Sequence, residues 1–225
     1  MRAPISVIIP TLNAADRLPL CLAALGEGLS AGLIRELVIS DGGSTDGSLR
    51  IAEAAGATIV TGEASRGGQL RRGAGVAEGA WLLFLHADTV LSEGWTSHIS
   101  AALAHDGAYY GRLRFDASGV APQVVAGWAN LRSRAFGLPY GDQALLIDRQ
   151  TYERLGGFAD IPLMEDVVMA RALKGGLMGL DFHAVTSAEK YQRQGWLKRG
   201  GRNLWTLARF LTGAKPEDLA RAYRK

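Results

Sequence analysis

One cysteine in 225 residues, Cys21, leaves this chain no internal disulfide and points to a reducing compartment. No apolar run approaches the roughly 20 residues that cross a bilayer. No basic-then-apolar leader is expected, as Met1 is followed by a strand pattern within four residues. Excess charge is scarce: 25 Lys and Arg against 22 Asp and Glu give a formal +3, too little to point to nucleic acid. Internal repeats and low-complexity linkers are lacking too. A cytoplasmic protein with no nucleic-acid partner is expected, with peripheral contact to the inner face of the membrane left open.

What is there is an alternation of short apolar runs and amphipathic stretches. The length suits one domain, or one domain with an appendage. At its centre, Trp81-Leu82-Leu83-Phe84-Leu85 runs into His86-Ala87-Asp88. So short and so apolar a run predicts a strand buried on both faces, with Asp88 just past its carboxyl end, where ligands bind in open α/β sheets. Ile5–Ile9 stopped by Pro10, Glu36–Ser40 and Thr58–Val60 predict three earlier strands. Helices are expected between them. Asp16 would cap the first, with Pro19 in its first turn and Leu18, Cys21, Leu22 and Leu25 as a core stripe. Ser44 or Thr45 would cap the second, Leu49 to Ala55, and the third is Gly- and Ala-rich, Gly67 to Gly79. The order predicts a doubly wound, mostly parallel α/β sheet with right-handed crossovers.

Further along, Ser92 would cap a helix to Ala104, and a strand Tyr109–Phe115 precedes a helix Gln123–Phe136. A strand Gln143–Ile147, helices Arg149–Leu155 and Glu165–Lys174, and a strand Leu180–Val185 complete a domain over residues 1–190. Residues 191–225 form a basic, aromatic-rich helical tail, packed on the domain, in an interface such as a homodimer's, or against an anionic membrane. Cys21 on its core stripe reads as filler, not nucleophile.

The carboxylates carry the chemistry. Ends of strands one, two and four share a rim in a parallel sheet, so Thr11, Asn13, Asp41 and Asp88 can face one crevice. A rim carboxylate near basic side chains suits a hard divalent cation bridging a diphosphate. Arg66, Gln69, Arg71 and Arg72, near a helix N-terminus, offer donors to the same phosphates. Glu165-Asp166 opens a further helix just after Pro162.

Four ordered blocks carry a resemblance: "ISVIIPTLN" from Ile5, "VISDGGSTDGS" from Val38, "LLFLHADT" from Leu82, and "GDQALLIDRQTYERLGGF" with "PLMEDVVMARAL" from Gly141 to Leu173. Over about residues 4–185 the chain resembles the family-2 glycosyltransferases of the GT-A fold, in a form like that of a small cytosolic bacterial subgroup. The resemblance implies a Rossmann-like nucleotide-binding half and an inverting, metal-dependent transfer of sugar from a nucleotide-sugar, UDP-type by preference, to a hydroxyl acceptor of unknown identity, lipid-linked acceptors included. It places Pro10, Thr11 and Asn13 along the nucleotide and Asp41 on the base edge. Asp88, matching the last Asp of a DxD motif, would bind Mn2+ or Mg2+ on the diphosphate, and Asp166 would be the general base, supported by Glu165.

The sequence departs from the pattern at three points. His86 stands where DxD has its first Asp; beside Ala87, its imidazole could bond the ribose or ligate the metal, as could His183 in the last strand. Gly42 replaces the second Asp of the usual "DDGS". Around Tyr191–Trp196 the motif of processive members is only echoed, so a single addition is expected, not polymer synthesis. Trp128 and Tyr140 are candidates to stack on a sugar face. Two other functions are compatible with such a fold. A sugar nucleotidyltransferase would want a Gly-rich basic loop after strand one, where this chain has Thr11-Leu12-Asn13-Ala14-Ala15. A non-catalytic nucleotide- or sugar-binding module has only the His86 change in its favour.

Overall fold

Side chains alternate along the first strand, β1 (Ile5–Thr11). Ile5, Val7 and Ile9 enter one apolar cluster and Ile8 the other. The same split divides Trp81, Leu83 and Leu85 from Leu82 and Phe84, as a strand covered on both faces requires. In the computed structural model, which describes residues 3–173 and 175–224, these runs become the middle of an eight-stranded sheet. Lys174, expected to end a helix, lies outside the described residues, as do Met1, Arg2 and Lys225.

The remaining strands are β2 (Ile34–Asp41), β3 (Thr58–Thr61), β4 (Trp81–Phe84), β5 (Thr89–Leu91), β6 (Ala108–Phe115), β7 (Leu145–Asp148) and β8 (Leu177–Thr186). Their order is β3-β2-β1-β4-β7-β6-β8-β5. The first four are mutually parallel, β7 runs antiparallel to β4 and β6, and β8 lies parallel to β6. This is the expected α/β sheet with its parallel, doubly wound half first.

Helices α1 (Leu18–Ser30), α2 (Ser48–Ala54) and α4 (Trp95–Ala102) cover one face, with Leu18, Cys21, Leu25, Trp95 and Ile99 buried. Helices α3 (Arg66–Val76), α6 (Arg149–Arg154) and α7 (Glu165–Ala172) cover the other through Leu70, Ala74, Tyr152 and Met169. Each fully buried Leu or Ile there contributes about 1.5–3 kcal/mol. Helix α5 (Val120–Phe136) lies on β6. The tail folds as α8 (Glu189–Gln194), α9 (Trp196–Leu211) and α10 (Pro216–Arg224). Leu207, Leu219 and Ala220 of the tail close over Leu163, Met164 and Val167, so it packs on the segment leading into α7. No helix among the described residues is long and apolar enough to cross a membrane.

Three expected caps differ. Helix α1 begins at Leu18 without a side-chain cap, Asp16 standing one residue too early. Asp46, not Ser44 or Thr45, accepts the Ser48 N–H (2.9 Å) that opens α2. Ser92 holds the His183 N–H (3.0 Å) across the sheet, and Gly94, at φ 81°, precedes α4 instead. Gln143 was expected in a strand but ends a 3-10 turn, Gly141–Gln143. Its amide is drawn inward to Ser133 Oγ (2.6 Å) and the Gly111 carbonyl (3.1 Å), and Ala144 follows at φ 57°, which strand pairing does not allow.

Candidate functional site

The register sets Thr11 beside Asp41 and Ile8 beside Phe84, so β1, β2 and β4 end on one rim. Past that rim the 12–15 and 42–48 loops are stitched together. Asn13, held at φ 51°, accepts the Thr45 N–H (2.9 Å), and its own N–H donates to Ser44 Oγ (2.8 Å). Asp41 is only 1% exposed. Its carboxylate accepts from Thr11 Oγ1 (2.8 Å), Gly43 N (2.7 Å), Ser44 N (2.8 Å) and Ser44 Oγ (2.6 Å). Burial alone would raise its pKa, but the donors from Ser44, Thr11 and Gly43 together hold it below the usual carboxylate range. Asp41 therefore anchors the loop and does not line the cleft in front of it.

That cleft, of about 560 Å³, is bordered by Pro10, Thr11, Asn13, Arg66, Gln69 and the His86–Asp88 turn. Gln69 is a clamp: its Nε2 donates to the Thr11 (2.8 Å) and Ser40 (2.9 Å) carbonyls, fixing the β1 and β2 ends side by side. Arg72 is turned away to the Asp41 and Glu63 carbonyls, and Arg71 straps α3 to the Gly156 and Phe158 carbonyls. Of the four expected donors, Arg66 alone is left with a free side chain in the cleft. The first turn of α3 comes close to the 159–161 segment: a Cβ on Gly67 would stand 1.8 Å from the Ala159 carbonyl oxygen, so no larger residue fits.

A smaller pocket of about 110 Å³ continues from the cleft and shares Arg66, His86, Asp88 and Lys190 with it. Asp166 lines this pocket but not the cleft, on the Gly141 side of His86. The Asp166 carboxylate is aimed by two N–H groups, Val167 N on Oδ1 (2.7 Å) and Gly141 N on Oδ2 (2.9 Å). Asp88 is partly exposed, with Lys190 Nζ 3.9 Å from its Oδ2. Desolvation first, and then the Arg66 charge, push the His86 pKa down to about 4, so its imidazole is neutral. Desolvation works against the Arg66 charge, but Glu165 and then Asp166 outweigh it and keep the guanidinium above its ordinary pKa.

Glu165 does not open on this pocket. It is 1% exposed, faces an apolar space behind α7 lined by Leu70, Phe84 and Met169, and neither carboxylate oxygen has a partner among the described residues. Burial, then the neighbouring Asp166, push its pKa up to about 7. A carboxyl raised on folding gives stability that is full below its unfolded pKa, near 4.5, and is lost as pH rises through about 7. His86, lowered on folding, acts in the opposite sense between its two values. The difference between wild type and Glu165→Gln isolates the first effect. In metal-free buffer Glu165→Gln should gain about 2 kcal/mol over wild type between pH 5 and pH 8, read from urea midpoints. A difference that does not change with pH would show that Glu165 is ionised in place.

His183 stands apart from all of this. It faces Arg114, Arg112 and Asp181 on the outer part of β8 and lines neither pocket, so it is not placed to share a cation with Asp88. Trp128 is exposed on α5 and lines neither pocket, whereas Tyr140 lines the inner one beneath the Arg132 guanidinium, 3.4 Å from its ring centroid. Several pocket residues are given no role by the sequence. Asp142, in the 3-10 turn, has a buried Oδ1 without a partner among the described residues and a pKa pushed up to about 6 by burial, against Arg132 and with Asp166. From the tail come Tyr191, Tyr223 and Arg199, whose guanidinium bonds Tyr223 Oη and Gln194 Oε1 (both 2.9 Å).

Among the described residues no three His, Cys, Asp or Glu side chains gather as a ready cation site. The donor set is one carboxylate, Asp88, with a neutral imidazole two residues before it. Such a set fits a hard cation that takes most of its ligands from substrate phosphates and water. Chemically, the arrangement offers a loop-lined groove for a flat, polar ligand, with a carboxylate and an Arg at its inner end and a second, aimed carboxylate in the same pocket.

The model of "Glycosyl transferase family 2" matches residues 6–142. Two curated relatives, each named "PGL/p-HBAD biosynthesis glycosyltransferase", from Mycobacterium bovis and Mycobacterium tuberculosis, are 41% identical over 104 residues. That match covers 43% of this chain and 40% of each relative, so the chain matches well under half of their length. Among solved structures, residues 1–349 of S. aureus TarS in complex with UDP superpose with TM-score 0.63 at 17% identity, over 84% of this chain and 62% of that one. Glucosyl-3-phosphoglycerate synthase from Mycobacterium tuberculosis, in complex with Mn2+, UDP and glucosyl-3-phosphoglycerate, gives 0.59 at 20% identity over 80% and 70%. These likenesses show a shared GT-A fold. With a family model spanning more than half of its residues, the chain belongs to glycosyl transferase family 2.

Proposed function

We propose that this protein is a metal-dependent, inverting glycosyltransferase that moves one sugar from a nucleotide-activated donor, a uridine diphosphate sugar by preference, to an acceptor hydroxyl. The observation that carries it is that Asp88 and Asp166, far apart in sequence, line one pocket at the inner end of the loop-lined cleft. The nucleoside would lie along Pro10–Asn13, with Asp41 shaping that wall from behind, Ala87 in the floor, and the neutral His86 able to bond the ribose. Arg66 and Lys190 would meet diphosphate oxygens. Asp88 would hold Mn2+ or Mg2+, which, when bound, offsets the charge on the departing diphosphate. Opposite, Asp166 would take the proton of the acceptor hydroxyl as its oxygen bonds to the anomeric carbon and the bond to the diphosphate breaks on the other face. Structures of fold relatives with UDP and Mn2+ support the donor and metal chosen.

Titration calorimetry with UDP, with and without Mn2+, tests this directly. Binding should be strengthened by the metal, and incubation with uridine diphosphate sugars should release UDP slowly in the absence of an acceptor. A folded protein that binds no uridine, guanosine or thymidine diphosphate, with or without metal, would end the proposal.

A further inference from the structure

We propose that the outward faces of α5 and α9 form one docking surface for an anionic phospholipid bilayer. Among the described residues fourteen large hydrophobic side chains are exposed, and nine of them sit on these two helices. On α5 they are Val120, Val124, Trp128, Leu131 and Phe136; on α9 they are Leu197, Leu204, Trp205 and Leu211. In α9, Leu197, Gly201, Leu204, Ala208 and Leu211 recur at intervals of four and three, which sets them in one stripe. Arg199, Thr206 and Leu207 on the other side are buried. Helix α5 is built the same way, with Ala126 and Ala129 packed inward beside Leu113 and Phe115. The two helices meet where Trp196 joins that cluster with Val125.

Charge selects the occupant. Neither helix contains an Asp or Glu. Lys198, Arg202 and Arg209, four and then seven residues apart, line one flank of the α9 stripe. Trp205, 67% exposed, stands between the stripe and that flank. A second copy of the chain meeting this face symmetrically would bring like charges together. An anionic bilayer satisfies both parts: the stripe enters the acyl boundary, the cations rest on the headgroups, and the indole takes the interface between. The surface faces away from the cleft, because Arg199 and Asn203, which line the inner pocket, lie on the opposite side of α9. It therefore goes beyond the proposed transfer chemistry and does not rest on it.

The test is co-sedimentation of the full chain with phosphatidylcholine vesicles and with vesicles that also contain phosphatidylglycerol. Sedimentation is expected with the anionic vesicles alone and should weaken with salt. The triple change Lys198→Gln, Arg202→Gln, Arg209→Gln should weaken it about a hundredfold. Leu204→Glu with Trp205→Glu should abolish it. Both variants should keep the wild-type thermal transition and the wild-type affinity for UDP, which reports on the cleft separately. Sedimentation with neither vesicle, equal sedimentation with both, or a dimer that the double Glu variant dissociates would overturn the proposal.

Discussion

Asp166→Asn is expected to lower turnover about a thousandfold while leaving the Kd for UDP within about twofold, as a positioned general base contributes some 10²–10⁴ to rate. Each Asp166 oxygen accepts one backbone N–H, from Val167 and Gly141, which fixes the rotamer and leaves a lone pair on each oxygen for an incoming hydroxyl. An Asn side chain can satisfy only one of these N–H groups, so a loss of about 1 kcal/mol in folding stability should accompany the loss of rate. The two effects separate cleanly: stability is read from denaturant midpoints and turnover from UDP release in the presence of an acceptor. Asp142→Asn is the necessary companion, because Asp142 lines the same pocket and is a carboxyl pushed up to about 6. Asp142→Asn should keep most of the turnover. If it, and not Asp166→Asn, abolishes turnover, the base is Asp142.

The parts of this site that could be read in the sequence are those built from contiguous residues. Strands buried on both faces are nearly continuous apolar runs, so Ile5–Ile9 and Trp81–Leu85 announced themselves, and parallel pairing then forced Thr11, Asp41 and the His86–Asp88 turn onto one rim. Polar residues whose roles depend on a distant partner were not legible. Ser44 looks like a helix cap, but the Asp41 carboxylate three residues earlier takes its hydroxyl, and α2 starts after Gly47 with Asp46 accepting the Ser48 N–H. Arg72 looks like a phosphate ligand, but the Asp41 carbonyl at the end of β2 claims it. Tyr191, Arg199 and Tyr223 reach the pocket only because the tail folds back on Leu163 and Met164, a contact with no local pattern. Short β5 escaped for a related reason: three residues carry too little periodicity, and their pairing partner in β8 lies almost a hundred positions away.

Asp88→Ala should remove the Mn2+-dependent gain in UDP affinity altogether, a loss of more than about a hundredfold, since changes to residues that merely support a metal ligand typically cost 10- to 100-fold. The reason lies in how little else surrounds the position. No cluster of three ligating side chains exists among the described residues, and the neutral His86 brings no negative charge. With Asp88 gone, Asp142 and Asp166 remain in the pocket, but among the described residues they do not gather with a third ligating side chain into a cation site. The same change frees Lys190, whose Nζ stands 3.9 Å from Asp88 Oδ2, to pair with the diphosphate directly. Metal-free UDP binding should therefore survive in Asp88→Ala or even strengthen slightly, while wild type without metal gains nothing of the kind. His86→Asp sets the opposite case. Restoring a second carboxylate two residues before Asp88 should tighten Mn2+ binding and, in metal-free buffer, weaken UDP binding by bringing like charge against the phosphates. Calorimetry of the three proteins with and without Mn2+ gives six affinities. If metal dependence persists in Asp88→Ala, the cation is held elsewhere and Asp88 serves chiefly as the partner of Lys190.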